Sequence, residues 1–136
     1  MEECVFCKIV SGRIPAAMLL ETDKVVSFLD IRPVNPGHAL VVLRRHASSL
    51  LELDQAELHT LMFVARRVAG AVLEATGAPA FNLLLNNGRP AGQIIEHVHM
   101  HVIPRREDDG FDLGWRQLEY AEGEMERLQE EIRRRL

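Results

Sequence analysis

The chain has 136 residues, of which 47% are hydrophobic and 26% charged, a balance typical of one folded globular domain. Its net charge of −4 and its aromatic content of 5% exclude a broad basic surface or a base-stacking platform for nucleic acid. No run approaches the ~20 apolar residues of a membrane span, and two cysteines are too few for a disulfide framework. We therefore expect a cytoplasmic protein that binds neither nucleic acid nor membrane.

The first predicted elements are two strands and a long helix. β-Branched and aromatic residues predict strands at 24–30 and 38–44, joined by a turn rich in proline and glycine. A helix is then predicted from an N-cap at Asp54 to a stop at Gly77. Its core-facing positions recur at helical spacing: Leu58, Leu61, Met62, Ala65, Val68, Ala69 and Val72.

The second half of the chain adds two strands and a final helix. Strands are predicted at 80–86 and 96–103, with a glycine-containing loop between them. An amphipathic C-terminal helix is predicted over 116–136, although Gly123 weakens it. No repeat or linker interrupts the sequence, so we expect a single α+β domain over residues 1–136.

Three of the six histidines, His97, His99 and His101, fall within five residues of a predicted strand. Because side chains alternate along a strand, all three are expected on one face. A lone histidine there is usually a core residue, but three buried imidazoles would each need hydrogen-bond partners. Two chemistries fit such a face: a catalytic zinc with three histidine ligands, or a nucleophilic imidazole oriented by its neighbours.

The loop before this strand, from Asn86 to Gln93, contains Gly88 and Gly92. Backbone N–H groups in a glycine-rich turn can form a concavity that binds an anion. By itself such a loop more often joins two strands, but its position before three histidines favours a phosphate-like substrate. Neutral donors would suit a chain without basic excess.

The run H-V-H-M-H-V-I, preceded by A-G-Q at 91–93, resembles the signature of the histidine triad family of nucleotide hydrolases and transferases. The resemblance extends upstream through C-V-F-C-K-I-V-S-G-R-I-P, F-L-D-I-R-P-V-N-P-G-H and R-R-H, and covers residues 4–106. It implies a five-stranded antiparallel sheet with one long packed helix in each subunit. Two subunits would form a homodimer with a continuous ten-stranded sheet.

The resemblance also implies roles for individual residues. His99 would attack the α-phosphorus of an adenosine nucleotide and form a covalent nucleotidyl-histidine, from which water releases AMP. His101 would contact the phosphate and leaving group, His97 would support the site, and His38 would help to order the triad. The residues that match nucleotide-binding positions, besides His99 and His101, are Phe6, Ile9, Phe28, Asp30, Ile31, Asn86, Gly92 and Gln93.

Cys4 and Cys7 form a C-x-x-C pair, which indicates either a metal site or two small buried thiols. In zinc-binding members of the family the set is completed by two histidines that match His46 and His97. The resemblance therefore implies one structural Zn²⁺ per chain, held by two thiolates and two imidazoles. Such a site would tie the N-terminus to the histidine strand.

Ile94 marks a departure from the family pattern. Many relatives carry Ser or Thr at this position, with a hydroxyl that reaches the phosphate or leaving group. An isoleucine cannot donate that hydrogen bond, and the segment 102–111 looks more like bacterial members described as dinucleoside polyphosphate hydrolases. The resemblance thus favours a zinc-binding bacterial type acting on dinucleoside polyphosphates, with a nucleoside phosphoramidase as the alternative.

Two hypotheses from other classes stay open on the sequence alone. The three triad histidines could be ligands of a metal-dependent hydrolase, or the protein could bind nucleotides with little turnover. Trp115, the only tryptophan, could line a leaving-group pocket or simply pack.

Overall fold

The computed structural model describes residues 3–136. Five antiparallel strands form one sheet with the order β1-β2-β3-β5-β4, and three helices accompany it. This confirms the predicted α+β class with a five-stranded antiparallel sheet. The elements are α1 (Val5–Val10), β1 (Met18–Glu21), β2 (Val25–Leu29), β3 (Ala39–Leu43), α2 (Gln55–Thr76), β4 (Ala80–Leu84), β5 (His99–Arg105) and α3 (Glu124–Arg133).

Helix α2 follows its predicted start and stop. The Asp54 carboxylate accepts a hydrogen bond from the Glu57 backbone N–H at 2.7 Å, and Gly77 ends the helix in the left-handed conformation at φ 71°. The apolar stripe packs on one face of the sheet. Leu58 and Met62, predicted to face the core, are instead 39% and 52% exposed because they lie at the edge of the stripe.

The two faces of the sheet carry different cores. One face packs against α2, whereas the other is covered by α1, whose Phe6 contacts a smaller cluster of Val26, Phe28, Leu40 and Val42. Alternation along β2 and β3 divides the side chains between these cores. The short helix α1 and the edge strand β1 were not predicted, since six and four residues are too few to display a periodicity.

Strand β5 begins at His99, three residues later than predicted, and continues to Arg105. Just before it, the His97 N–H donates to the Ile95 carbonyl at 2.8 Å, so the chain bends at His97. His97 therefore precedes the strand, but its ring still contacts Phe6 on the same side of the sheet as the ring of His99, while Val98, Met100 and Val102 face α2 as expected. His99 and His101 follow the alternation, and His97 stands outside the strand.

The C-terminal helix is shorter than the predicted range 116–136. Helix α3 begins at Glu124, because Gly123 takes a left-handed conformation at φ 74° that ends any helix reaching it from the N-terminal side. Residues 112–121 have no regular structure and lie exposed. Among residues 3–136, no helix combines the length and apolar character that a membrane crossing requires.

Candidate active site

A cavity of about 460 Å³ opens between α1, the end of β2, β5 and residues 92–95. It brings together eight of the residues predicted to bind nucleotide: Phe6, Ile9, Phe28, Asp30, Ile31, Gly92, His99 and His101. We call it the histidine cavity. Its other lining residues are Val5, Ile14, Pro15, Ala16, Leu29, Arg32, Leu40, Ile94 and Ile95. Apart from Ile94, these were missed. Helix α1 and the turn after it gave no sequence signal, and the lining residues in or next to the predicted strands, Leu29, Arg32, Leu40 and Ile95, carried nothing that marks a ligand contact.

His99 is held in one orientation at the wall of this cavity. Its Nδ1 lies 2.6 Å from the carbonyl oxygen of His97, and because a carbonyl only accepts, Nδ1 must carry the hydrogen. In the neutral ring, Nε2 then keeps its lone pair. Burial lowers the pKa of His99, which favours this neutral form. His99 therefore presents an unprotonated nitrogen, as a nucleophile requires.

His101 is oriented by a chain of hydrogen bonds that begins at the backbone. The Val34 N–H donates to His38 Nδ1 at 3.0 Å, so the hydrogen of neutral His38 is on Nε2. That Nε2 lies 2.9 Å from His101 Nδ1, which consequently accepts. His101 then carries its own hydrogen on Nε2 and offers a donor, complementary to the acceptor of His99.

Burial, together with the neighbouring His99 and His38, lowers the pKa of His101 to about 4. Burial likewise lowers the pKa of His38, against the opposing effect of Asp30. Both rings are therefore neutral near pH 7. Adjacent histidines could divide the work if the neighbour of His99 were protonated. This arrangement does not favour that state, and His101 serves instead as a neutral hydrogen-bond donor.

Asp30 lies at the end of β2, where the cavity meets the turn. One carboxylate oxygen accepts from the Arg32 backbone N–H at 2.8 Å, and the other is 3.7 Å from His38 Nε2. The first contact fixes the carboxylate. The second oxygen has acceptor capacity left for a hydroxyl group in the cavity.

The glycine loop differs from the expected anion concavity. The N–H groups of Gly88, Ala91, Gly92 and Gln93 all donate to acceptors within the loop. The buried Gln93 side chain accepts from Gly88 and donates to the Ser48 carbonyl at 2.9 Å. Asn86 Nδ2 contacts the Gly92 carbonyl at 3.4 Å. Asn86 and Gln93 thus lie outside the lining of the histidine cavity and shape the loop that contributes Gly92 to it.

Cys4, Cys7, His46 and His97 meet beside the cavity, with one ligand atom from each within 4.8 Å of the others. We call them the Cys–His group. His97 Nδ1 is 3.4 Å from Cys4 Sγ and 3.5 Å from Cys7 Sγ, and His46 Nδ1 is 3.4 Å from Cys7 Sγ. Zinc bonds of about 2.3 Å to sulfur and 2.0–2.1 Å to nitrogen give tetrahedral S–N edges of about 3.6 Å. The four residues fit a closed zinc site.

The orientation of His97 suits that site. Its Nε2 donates to the Leu43 carbonyl at 2.5 Å, which leaves the Nδ1 lone pair for a metal. The ring is fully buried, and the Phe6 ring contacts both it and His99, with centroid distances of 5.9 and 4.9 Å. The His97 side chain therefore belongs to the Cys–His group, while its backbone carbonyl holds His99 at the wall of the histidine cavity.

Residues 11–108 match the family described as the HIT domain. The chain belongs to the HIT family. The adenosine 5'-monophosphoramidase hnt1 of Schizosaccharomyces pombe is 39% identical to this HIT protein over 130 residues, which cover 95% of each chain. This confirms the histidine triad resemblance at the level of the family.

Solved HIT structures agree with the fold. A crystal structure of a HIT family member from Bacillus subtilis superposes with a TM-score of 0.91 at 34% identity, covering 98% of this chain and 97% of that one. A structure described as a Zn-bound histidine triad family protein from Mycobacterium smegmatis has a TM-score of 0.76 at 34% identity, covering 98% and 95%.

Proposed function

We propose that this HIT protein hydrolyses an adenosine nucleotide at its α-phosphate through a covalent nucleotidyl-histidine on His99, and releases AMP. The observation that carries the proposal is the hydrogen bond from His99 Nδ1 to the His97 carbonyl. It leaves the Nε2 lone pair at the wall of a cavity large enough for a small molecule. The apolar residues Phe6, Ile9, Phe28 and Ile31 would surround the base, and Asp30 would accept the ribose hydroxyls.

The reaction proceeds in two displacements. His99 Nε2 forms a bond to the α-phosphorus while the bond from phosphorus to the leaving group breaks, and the leaving group takes the electron pair. The resulting ring carries positive charge, which the His97 carbonyl stabilises through Nδ1–H. His101 donates Nε2–H to the phosphate or leaving group. Water then attacks phosphorus, neutral His99 departs, and the proton of the water passes to solvent.

Two leaving groups are the candidates. Residues 102–111 look like bacterial members described as dinucleoside polyphosphate hydrolases. In such a substrate the leaving group is a nucleoside polyphosphate, which departs as an anion without needing a proton. The similarity to hnt1, named as a monophosphoramidase, supports a phosphoramidate, whose amine takes its proton from solvent. Both substrates present the same α-phosphate to His99.

The test is a rapid quench followed by mass spectrometry. We expect one AMP adduct on the peptide that contains His99, with either a diadenosine polyphosphate or an adenosine phosphoramidate as substrate. Loss of activity on chelation, without an adduct, would contradict the proposal and indicate a metal-dependent hydrolase instead. Tight AMP binding with turnover unchanged in His99→Ala would show that the triad performs no catalysis.

We further propose that the Cys–His group holds one structural Zn²⁺ per chain, as in the zinc-binding bacterial type. The ligand spacings and the free Nδ1 of His97 support it, and so does the Zn-bound relative from M. smegmatis. The ion would supply no chemistry at the substrate. It would cross-link α1, the segment after β3 and the segment before β5, and so fix the His97 carbonyl that orients His99.

We also propose a homodimer that joins the β4 edges into a ten-stranded sheet. Phe81 and Leu83 on β4 and Met62 and Phe63 on α2 form an exposed apolar surface, with exposures of 36–52%. The opposite edge strand, β1, has an irregular register that hinders pairing. Light scattering should give twice the chain mass, and Phe81→Asp should reduce it; a monomeric wild-type protein would contradict the proposal.

A further inference from the structure

Residues 30–38 form the β2–β3 turn, which supplies the first donor of the relay that orients His101. The Val34 N–H donates to His38 Nδ1 at 3.0 Å, and this bond places the hydrogen of neutral His38 on Nε2, beside His101. Residues 31–37 are exposed or half-buried, so apolar burial does little to fix the turn. Whatever anchors Val34 therefore decides which nitrogen of His38 carries the hydrogen.

The anchor is the side chain of Asn35. Its Nδ2 group donates to the Pro104 carbonyl at 2.8 Å and to Asp109 Oδ2 at 2.9 Å. In the described part of the chain, these are the hydrogen bonds that residues 31–37 make outside the β2–β3 turn. Pro104 lies on β5, the strand that carries His101. Asn35 thus ties the turn that orients the donor ring to the strand that carries the acceptor ring.

Asp109 offers Asn35 an acceptor that is itself held in place. Its carboxylate also accepts from Arg105 Nε at 2.7 Å and from the Arg106 and Phe111 N–H groups at 3.2 and 3.1 Å, and its side chain is 5% exposed. The Arg105 guanidinium, together with these backbone donors, holds the pKa of Asp109 well below its ordinary value. The carboxylate is therefore ionised near neutral pH and has little freedom to leave the Asn35 amide.

We propose that Asn35 is a positioning residue, which acts on the reaction through Val34 and His38. This inference rests on the proposed function, since it concerns the same site. Asn35 does not line the histidine cavity, so it has no contact with a substrate there. Without its amide, the β2–β3 turn shifts against β5 and the Val34 N–H moves away from His38 Nδ1. The hydrogen of His38 then divides between the two ring nitrogens, and His101 loses its donor for part of the time.

The first measurement follows the tautomer of His38 by nitrogen-15 NMR in the ligand-free protein at neutral pH. We expect one tautomer in the wild type, with the hydrogen on Nε2, and a mixture of both in Asn35→Ala. Asn82→Ala is the matched control, because Asn82 is also half-buried and accepts from Arg105 Nη1 at 2.6 Å, but makes no hydrogen bond to the β2–β3 turn. It should keep the wild-type tautomer. A single tautomer in Asn35→Ala would overturn the inference.

The second measurement separates positioning from a loss of stability. Asn35→Ala should lower kcat for AMP release about fivefold and leave KM near wild type, because the Arg32 N–H still holds the Asp30 carboxylate. In a His38→Ala background the same substitution should lower kcat no further, since the relay that it serves is already gone. An equal loss in both backgrounds would assign Asn35 a structural role only and overturn the inference.

The two measurements also distinguish this inference from the proposed function. Wild-type kcat in Asn35→Ala, with AMP still released, would overturn the inference and leave the proposed function intact. Absence of AMP release from the wild-type protein would overturn the proposed function, and with it the effect of Asn35 on a reaction. The NMR measurement needs no substrate, so a mixture of His38 tautomers in Asn35→Ala would still support the positioning of the ring by Asn35.

Discussion

The histidine cavity and the Cys–His group lie side by side and draw on the same H-x-H-x-H run, yet they are built differently. In the cavity, His99 and His101 are neutral rings whose Nδ1 atoms bond to a carbonyl and to His38, so their Nε2 atoms are left for a ligand. In the Cys–His group the order is reversed, because His97 bonds a carbonyl through Nε2 and directs Nδ1 at two thiols. Which nitrogen is engaged by a neighbouring group thus decides whether a histidine is suited to react or to bind a metal.

The largest expected effect separates the two centres. His99→Ala removes the nitrogen that attacks phosphorus, and AMP release should fall by at least about 10³-fold, as expected for the loss of a nucleophile. The metal content and melting temperature should stay near wild type, since the Cys–His group contacts His99 only through a backbone carbonyl. Retention of a tenth of the activity would contradict the role of His99.

The Cys–His group gives the next largest effect. The double variant Cys4→Ser, Cys7→Ser should contain no zinc and lose several kcal/mol of unfolding free energy, because metal binding is coupled to folding. AMP release should fall about 10–100-fold, the usual cost of disturbing a group that orients a reactive residue. Elemental analysis, urea unfolding and kcat measure these changes.

Glu74→Ala is the control for the double variant, because Glu74 is exposed on α2 and lines neither the histidine cavity nor the surface proposed for the dimer. A native protein without metal would contradict the zinc proposal. A metal-free double variant that turns over normally would show that the Cys–His group is dispensable for positioning His99.

The separation of the two centres could be predicted only in part. The C-x-x-C pair and the family resemblance named all four residues of the Cys–His group, and strand alternation correctly placed His99 and His101 together. Alternation also gives the correct side for His97, whose ring contacts Phe6 as that of His99 does, but it assumes an unbroken strand, whereas the bond from His97 N–H to Ile95 bends the chain. A bend of this kind depends on the distant partners of His97, which a local pattern does not contain.

The loop and the C-terminus illustrate the same limit. Gly88 and Gly92 predicted a tight loop, and it forms, but the side chain of Gln93 and backbone acceptors take up the N–H groups expected to bind phosphate. At the C-terminus Gly123 was recognised as a weak point of the helix. Its left-handed conformation makes it the boundary instead, because residues 116–122 are exposed and bury no face that would hold them in a helix against it.

Acid should perturb the histidine cavity in a defined pH window. The pKa of His101 is lowered from 6.5 to about 4 in the folded protein, so the unfolded chain binds more protons between these values and stability falls as pH decreases. The cost is about 1–2 kcal/mol once partial solvent screening is included. Urea unfolding of the wild type and of His101→Asn from pH 7 to pH 4.5 should show a smaller slope in the variant.

The comparison with His101→Asn isolates this contribution. The pKa values of His38 and His99 are also lowered by burial, which makes stability fall with decreasing pH in the same way, and the nearby Asp30 carboxylate acts to raise both pKa values. These three groups remain in both proteins. Asp109, whose pKa is lowered mainly by Arg105, titrates below the window. Identical slopes for the two proteins would mean that His101 is not held neutral by its surroundings.

The smallest effect tests the relay that orients His101. His38→Ala removes the donor to His101 Nδ1, and kcat should fall about tenfold while KM changes little, because the ring is misoriented rather than lost. His38→Gln, whose amide can donate in its place, should recover part of the rate.

The same His38→Ala variant should change the titration of His101. With its Nδ1 no longer occupied, His101 can accept a second proton, so its pKa should rise toward 6.5 in His38→Ala, as followed by NMR. The zinc content should not change. A His101 titration that is the same with and without His38 would show that burial alone keeps the ring neutral, and the histidine cavity would then owe its proton arrangement to packing rather than to the relay.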